Sequence, residues 1–226
     1  MVKYEAVQEQ EQLRQRYLDR LVIPHISKVI YDPTYEETQK RFSELCGRRI
    51  LPPSEVENAT IFAQERMFYS YMNLVGGWEM LGRDNTNPIF VYPDSFSEFE
   101  ETDFLDVLLN HEGFHAQDYA LGIPFRDGVL DHRCIPESAG ETVEILIEIR
   151  AYWNQIKNIP PSLQRMYQEC AESLQEEWQN LCGRKPSTPF EEEVINYCKE
   201  EYEQMVVKVA RSIRPRRYRS ISHGNL

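Results

Sequence analysis

The order of patterns along the chain predicts an α+β fold, mostly helical, with a small antiparallel or mixed sheet before one buried helix. Three observations carry this. Helical patterns occupy both ends of the 226 residues. Short β-prone runs bounded by glycine and proline fill 67–93. An apolar helical pattern carrying two histidines follows at 104–120.

The first fifty residues read as helical. Glu5 to Arg20 is charged, with Leu13, Tyr17, Leu18 and Leu21 as a thin apolar stripe, and Thr34 to Cys46 is a second helix ending at Gly47. Leu51-Pro52-Pro53-Ser54 reads as a linker. Met67 to Met72 is aromatic and strand-like, Gly76-Gly77 turns the chain, and Ile89 to Tyr92 forms a short strand between Pro88 and Pro93. Prolines on both flanks suit an edge strand, because proline has no amide to donate to a neighbour. Phe104, Leu105, Leu108, Leu109, Phe114 and Tyr119 surround most of the next helix, which predicts its burial. A loop with Gly122, Pro124 and Gly128 leads to Pro136, which opens a long helix through Ile156. Pro160-Pro161 ends it, and amphipathic helices follow at 162–182 and 190–210.

The formal net charge is −12, unevenly spread. Arg211, Arg214, Arg216, Arg217 and Arg219 meet no acid in 211–226, so the other 210 residues carry −17. An acidic body repels phosphates, so nucleic acid is not an expected partner. No apolar run approaches the length of a membrane span. Residues 1–8 lack the core of a secretory signal, and five cysteines (Cys46, Cys134, Cys170, Cys182, Cys198) include no closely spaced pair. Together these predict a cytoplasmic protein with reduced thiols.

The chemistry concentrates in His111-Glu112-Gly113-Phe114-His115. Two imidazoles four residues apart share one helical face and can hold one Zn²⁺, with the intervening glutamate in reach of a water on the ion. Two ordinary histidines on a buried helix are the bland alternative, but a metal-free His-Glu-x-x-His there would strand several polar groups. A catalytic zinc needs a third protein ligand. Glu137, Glu141, Glu144 and Glu148 form one stripe on the helix after Pro136. Glu148 is the first choice, because Ile145, Ile147, Ile149, Ala151 and Trp153 make its surroundings the most apolar. Glu137 is next, with Gly140 one turn on. Asp118, one turn beyond His115, is placed to orient an imidazole, or is a plain surface aspartate. Tyr152, ahead of Tyr119 and His132, is the candidate to stabilise an oxyanion, and Cys134 lies between the two site helices.

His111-Glu112-x-x-His115, followed 33 residues later by Glu148-Ile149-Arg150-Ala151-Tyr152, resembles the gluzincin group of zinc metallopeptidases over roughly 88–153. The resemblance implies a zincin-like domain with His111, His115 and Glu148 as ligands and Glu112 as general base. It implies that Ile89 to Tyr92 is the edge along which a peptide or protein substrate lies in extended form. Tyr152 departs from the pattern, standing where many relatives have an acid that supports a ligand histidine. The chain then divides into an N-terminal helical extension (1–50), a zincin-like catalytic core (51–160), C-terminal helices (161–210) and a basic tail (211–226).

Two other functions compete. A di-iron helical bundle shares Glu112-x-x-His115 but needs a second Glu-x-x-His, and His25, His132 and His223 all lack the glutamate. A zinc-bearing binding or regulatory module without turnover would keep the ligands and have no use for Glu112. The tail reads as solvated chain, as a strap across the acidic body, or as a contact to an anionic surface. Substrate specificity and oligomeric state are not written in these patterns.

Overall fold

The computed structural model describes residues 2–26, 28–34, 36–37, 40, 70–72, 89–93, 96, 106–131, 135–160 and 163–213. Outside them lie the expected helix at 34–46 in all but a few residues, the linker at 51–54, the turns between 73 and 88, His132, Cys134 and the basic tail beyond Ile213, the tail's first two residues belonging to the last helix.

Helix α1 (Val2–Leu18) leads to β1 (Val29–Tyr31). Two more strands, β2 (Ser70–Met72) and β3 (Ile89–Val91), complete a sheet of order β1-β3-β2. β1 runs parallel to β3 and β2 antiparallel, so the sheet is mixed. β1 corrects the all-helical reading of the first fifty residues: Val29-Ile30-Tyr31 is β-branched and aromatic, and it pairs residue for residue with Ile89-Phe90-Val91. The outer side of β1 is closed by α1. Gln15 accepts from the Tyr31 amide (2.7 Å) and donates to the Val29 carbonyl (3.1 Å), as a neighbouring strand would.

The position of β3 corrects a second expectation. It is the central strand, not an edge. Pro88 and Pro93 fall just outside the three paired residues, so no ladder amide is missing. Ile89, Phe90, Val91 and Tyr92 are all buried.

The helix bearing the histidines is not uniformly α-helical. A π-helical turn (Val107–Glu112) runs into α2 (Gly113–Leu121). Its far side is open, with Leu108 buried but Leu109 43% exposed, so the expectation of burial all round is corrected. Gly113 brings α2 tight against the preceding chain, since a Cβ there would stand 3.0 Å from the Ile23 side chain. Gly122 ends α2 with φ +80, and a Cβ there would stand 2.2 Å from Val129. What reads as a loop is a hairpin, β4 (Ile123–Phe125) against β5 (Gly128–Leu130). The turn hinges on Arg126 at φ 51. A non-glycine residue holds the left-handed position, while Gly128 of Asp127-Gly128 pairs with Phe125 as the first residue of β5.

Three helices finish the fold: α3 (Gly140–Asn158), entered through a 3₁₀ turn (Glu137–Ala139), α4 (Gln164–Gly183) and α5 (Pro189–Ser212). They agree with the periodic segments. Among the described residues no helix is long and apolar enough to cross a membrane. Two apolar cores result. One lies between α3, α4, α5 and the hairpin, the other between the sheet, the end of α1 and the histidine helix. Tyr119 of α2 packs against both, so the histidine helix spans their boundary.

Thr188 caps α5 by accepting from the Glu191 amide (3.1 Å). Glu191 itself is buried and accepts from the Thr142 hydroxyl (2.6 Å) and from the amide and hydroxyl of Ser187 (2.7 Å each). The Thr142 bond first, then Ser187, hold its carboxyl down at about 2. A depressed carboxyl stabilises the fold above its unfolded value of about 4.3, and that contribution fades as pH falls toward the folded value. Acid titration followed by circular dichroism is therefore expected to show loss of helix starting near pH 4, with a flatter acid limb in Glu191→Gln.

Candidate metal centre

His111 stands at the end of the π-helical turn and His115 in the first turn of α2, on one face. The π turn is held in place by α3. Asn154 donates to the Asn110 carbonyl (2.9 Å), and Gln155 and Asn110 both donate to buried Asp106 (3.0 and 2.6 Å). Where a helix widens to π geometry its carbonyls lose their usual partners, and side chains from a neighbouring helix replace them.

Glu148 reaches across from α3. Its Oε2 lies 3.5 Å from His111 Nε2, its Oε1 3.3 Å from His115 Nε2, and the two Nε2 atoms are 3.2 Å apart. A tetrahedral ion bonded to its ligands at about 2.0–2.1 Å sets those ligands about 3.4 Å apart, so the three atoms fit one small cation of that geometry. Among the described residues this is the one group of His, Cys, Asp or Glu donors that converges so closely. His115 has 4% of its side chain exposed and Glu148 35%, so the cluster opens to solvent on the Glu148 side.

The electrostatics agree with a cation site. Burial alone lowers the pKa of His115, but the Glu148 carboxylate, with smaller help from Glu112 and Asp118, outweighs it and holds the imidazole above its ordinary value. Burial likewise pushes Glu148 up, and the two imidazoles outweigh it, holding the carboxyl well below the usual range. Glu148 thus gains from positive charge at this point. A divalent cation supplies that charge while the imidazoles stay neutral.

Of the other sequence candidates, Glu112 is buried beside His115. The Tyr152 ring sits 4.6 Å from that of His111. Burial, followed by the Glu148 charge, keeps its phenol protonated far above neutrality. Glu141 is exposed and pairs with Arg184 (2.7 Å), and Glu144 is exposed, so neither joins the cluster. The side chain of Glu137 lies outside the described residues. The expectation for Asp118 is corrected. It is buried, and both its oxygens bind Arg150, at 2.7 and 2.8 Å, rather than an imidazole. Neither His111 Nδ1 nor His115 Nδ1 has a hydrogen-bond partner among the described residues.

Arg150 is the residue the sequence reading passed over. Besides Asp118 it donates to the Tyr202 hydroxyl (2.8 Å) and lies over the Phe114 ring (5.4 Å). It therefore ties α3 to α2 and to α5, two residues from Glu148 and opposite the turn after His115. A signal was present: one arginine within Ile145 to Ala151 needs a buried acid, and Asp118 follows His115 by three.

Comparison with known proteins finds no matching family model, no matching curated protein and no matching solved structure.

Proposed function

We propose that the protein is a zinc-dependent metallopeptidase. The carrying observation is the convergence of His111, His115 and Glu148 at 3.2–3.5 Å, with a buried glutamate immediately after the first histidine. His111, His115 and Glu148 hold the ion. A zinc ion there supplies Lewis acidity and lowers the pKa of its water to about 7. Glu112 takes the proton of the attacking water and delivers it to the leaving amine. Tyr152, kept protonated, donates to the developing oxyanion. Two imidazoles and one carboxylate also suit iron(II), but an oxygenase centre has no need of the buried base that Glu112 supplies.

With β3 interior, the strand suited to an extended substrate is β2, which among the described residues lies at the rim of the sheet and against the π turn bearing His111. A peptide there would pair through its backbone, leaving side-chain selectivity to the surrounding walls. The test is a mixed peptide library incubated with the zinc-loaded chain and read by mass spectrometry. Cleavage products are expected, lost with 1,10-phenanthroline and restored by zinc. A zinc-loaded chain that leaves the library intact contradicts the proposal and favours a binding module.

A further inference from the structure

The histidine helix is widest where it carries its chemistry. The Gly113 amide donates to the Leu108 carbonyl, five residues back, so this turn holds one residue more than an α-helical turn. His111 and Glu112 lie within the wide turn and His115 just beyond it. Such turns are rare, and one persists where groups outside the helix fix it in place.

Four side chains do so here. Asp106, at the start of the turn, is buried and accepts from Asn110 (2.6 Å) and from Gln155 of α3 (3.0 Å). Asn154, the neighbour of Gln155, donates to the Asn110 carbonyl (2.9 Å). Gln155 is 2% exposed, so its bond to the Asp106 carboxylate is costly to break. The same helix carries the third ligand of the cluster. Glu148 precedes Gln155 by two helical turns, so both lie on the face of α3 toward the histidine helix. The helical stretch between them, about 10 Å long, sets the distance from ligand to anchor. A second anchor lies past His115, where Arg150 of α3 holds Asp118 of α2.

The wide turn is thus suspended between two attachments to α3, and the extra residue lets both be made at once. Released from the first, it can tighten to α geometry. Taking one residue out of the turn rotates the chain before it by about 100° against the chain after it. The Asp118 attachment keeps α2 in place, so the movement falls on His111. Its Nε2 then leaves its present positions, 3.2 Å from His115 and 3.5 Å from Glu148.

We propose that Asp106, Asn110, Asn154 and Gln155 are positioning residues of the metal centre, holding the wide turn so that His111 stays in register with His115 and Glu148. The inference rests on the metal-centre reading. None of the four supplies a ligand, so they act on the ion only through His111.

The test uses the full chain, with zinc and cobalt(II) alone as probes. Gln155→Glu removes the donor and sets a second carboxylate against Asp106. Adding Asp106→Asn reverses the roles, the new amide donating to the new carboxylate while its oxygen still accepts from Asn110. Zinc affinity, measured by competition with a chromophoric chelator, is expected to fall about tenfold or more in Gln155→Glu, as for other residues that orient metal ligands. The double variant is expected to return it close to wild type. The visible absorption of bound cobalt follows its coordination geometry and is expected to change and recover in step. Asn154→Ala removes only the half-buried donor to the Asn110 carbonyl. It is expected to move both readouts the same way, and it carries the test where Gln155→Glu does not fold. Wild-type zinc affinity and cobalt spectrum in either folded single variant overturn the positioning role, as does a folded double variant that restores neither. In those cases the metal centre stands. A folded wild type that binds neither ion overturns the metal-centre reading and this inference with it.

Discussion

Glu112→Gln is expected to lower peptide turnover by about a thousandfold, within the range by which a positioned general base contributes, while zinc content stays that of the wild type. Glutamine keeps the size and hydrogen-bonding reach of the side chain but cannot accept a proton. Glu112 is buried next to His115, and it is not one of the three converging donors. Its loss therefore removes chemistry and leaves ion binding. The reduction belongs in kcat, with KM nearly unchanged, because the base acts in the transition state. A binding module without turnover gives the opposite signature, with ligand affinity and zinc content both indifferent to the substitution.

The second large effect is on stability. Arg150→Met strands the buried Asp118 carboxylate, and breaking a buried pair from one side costs about 3–5 kcal/mol. Urea denaturation is expected to show that loss in the midpoint. Arg150→Met combined with Asp118→Leu is expected to recover most of it, since apolar replacement of both partners removes the uncompensated charge. Recovery of stability need not restore the centre. Arg150 links α2 to α3, so zinc affinity in the stable double variant reports how far this clamp sets the spacing of the histidines from Glu148. A midpoint unchanged in Arg150→Met contradicts the burial and pairing described for these two groups.

How much of this was legible in the sequence follows from the range of the forces involved. His111, Glu112 and His115 are local: helical spacing alone puts the imidazoles on one face. Glu148 stood out because a carboxylate among isoleucines needs a partner, and its oxygens do lie beside both imidazoles. The helices of the C-terminal half were equally plain, since their apolar periodicity and the Thr188-Pro189 start are local signals. What depends on pairing across the chain was hidden. β1 is too short to stand out until β3 is placed beside it, and β3 reads as an edge until the prolines are seen to flank the ladder. The hairpin at 123–130 reads as a loop because Arg126, not a glycine, takes the left-handed position of its turn. Asp118 resembled a supporter of histidine by spacing, yet the stronger claim on it comes from a guanidinium 32 residues away.

The central claim is that His111, His115 and Glu148 form a metal centre, and metal content tests it most directly. Elemental mass spectrometry of the purified chain, without added metal, is expected to give about one zinc per chain, the stoichiometry of a single tetrahedral site. His115→Ala, measured beside it after circular dichroism has verified its helix content, is expected to lose that zinc. Folded wild type that carries no metal and takes up none on adding zinc would contradict the account.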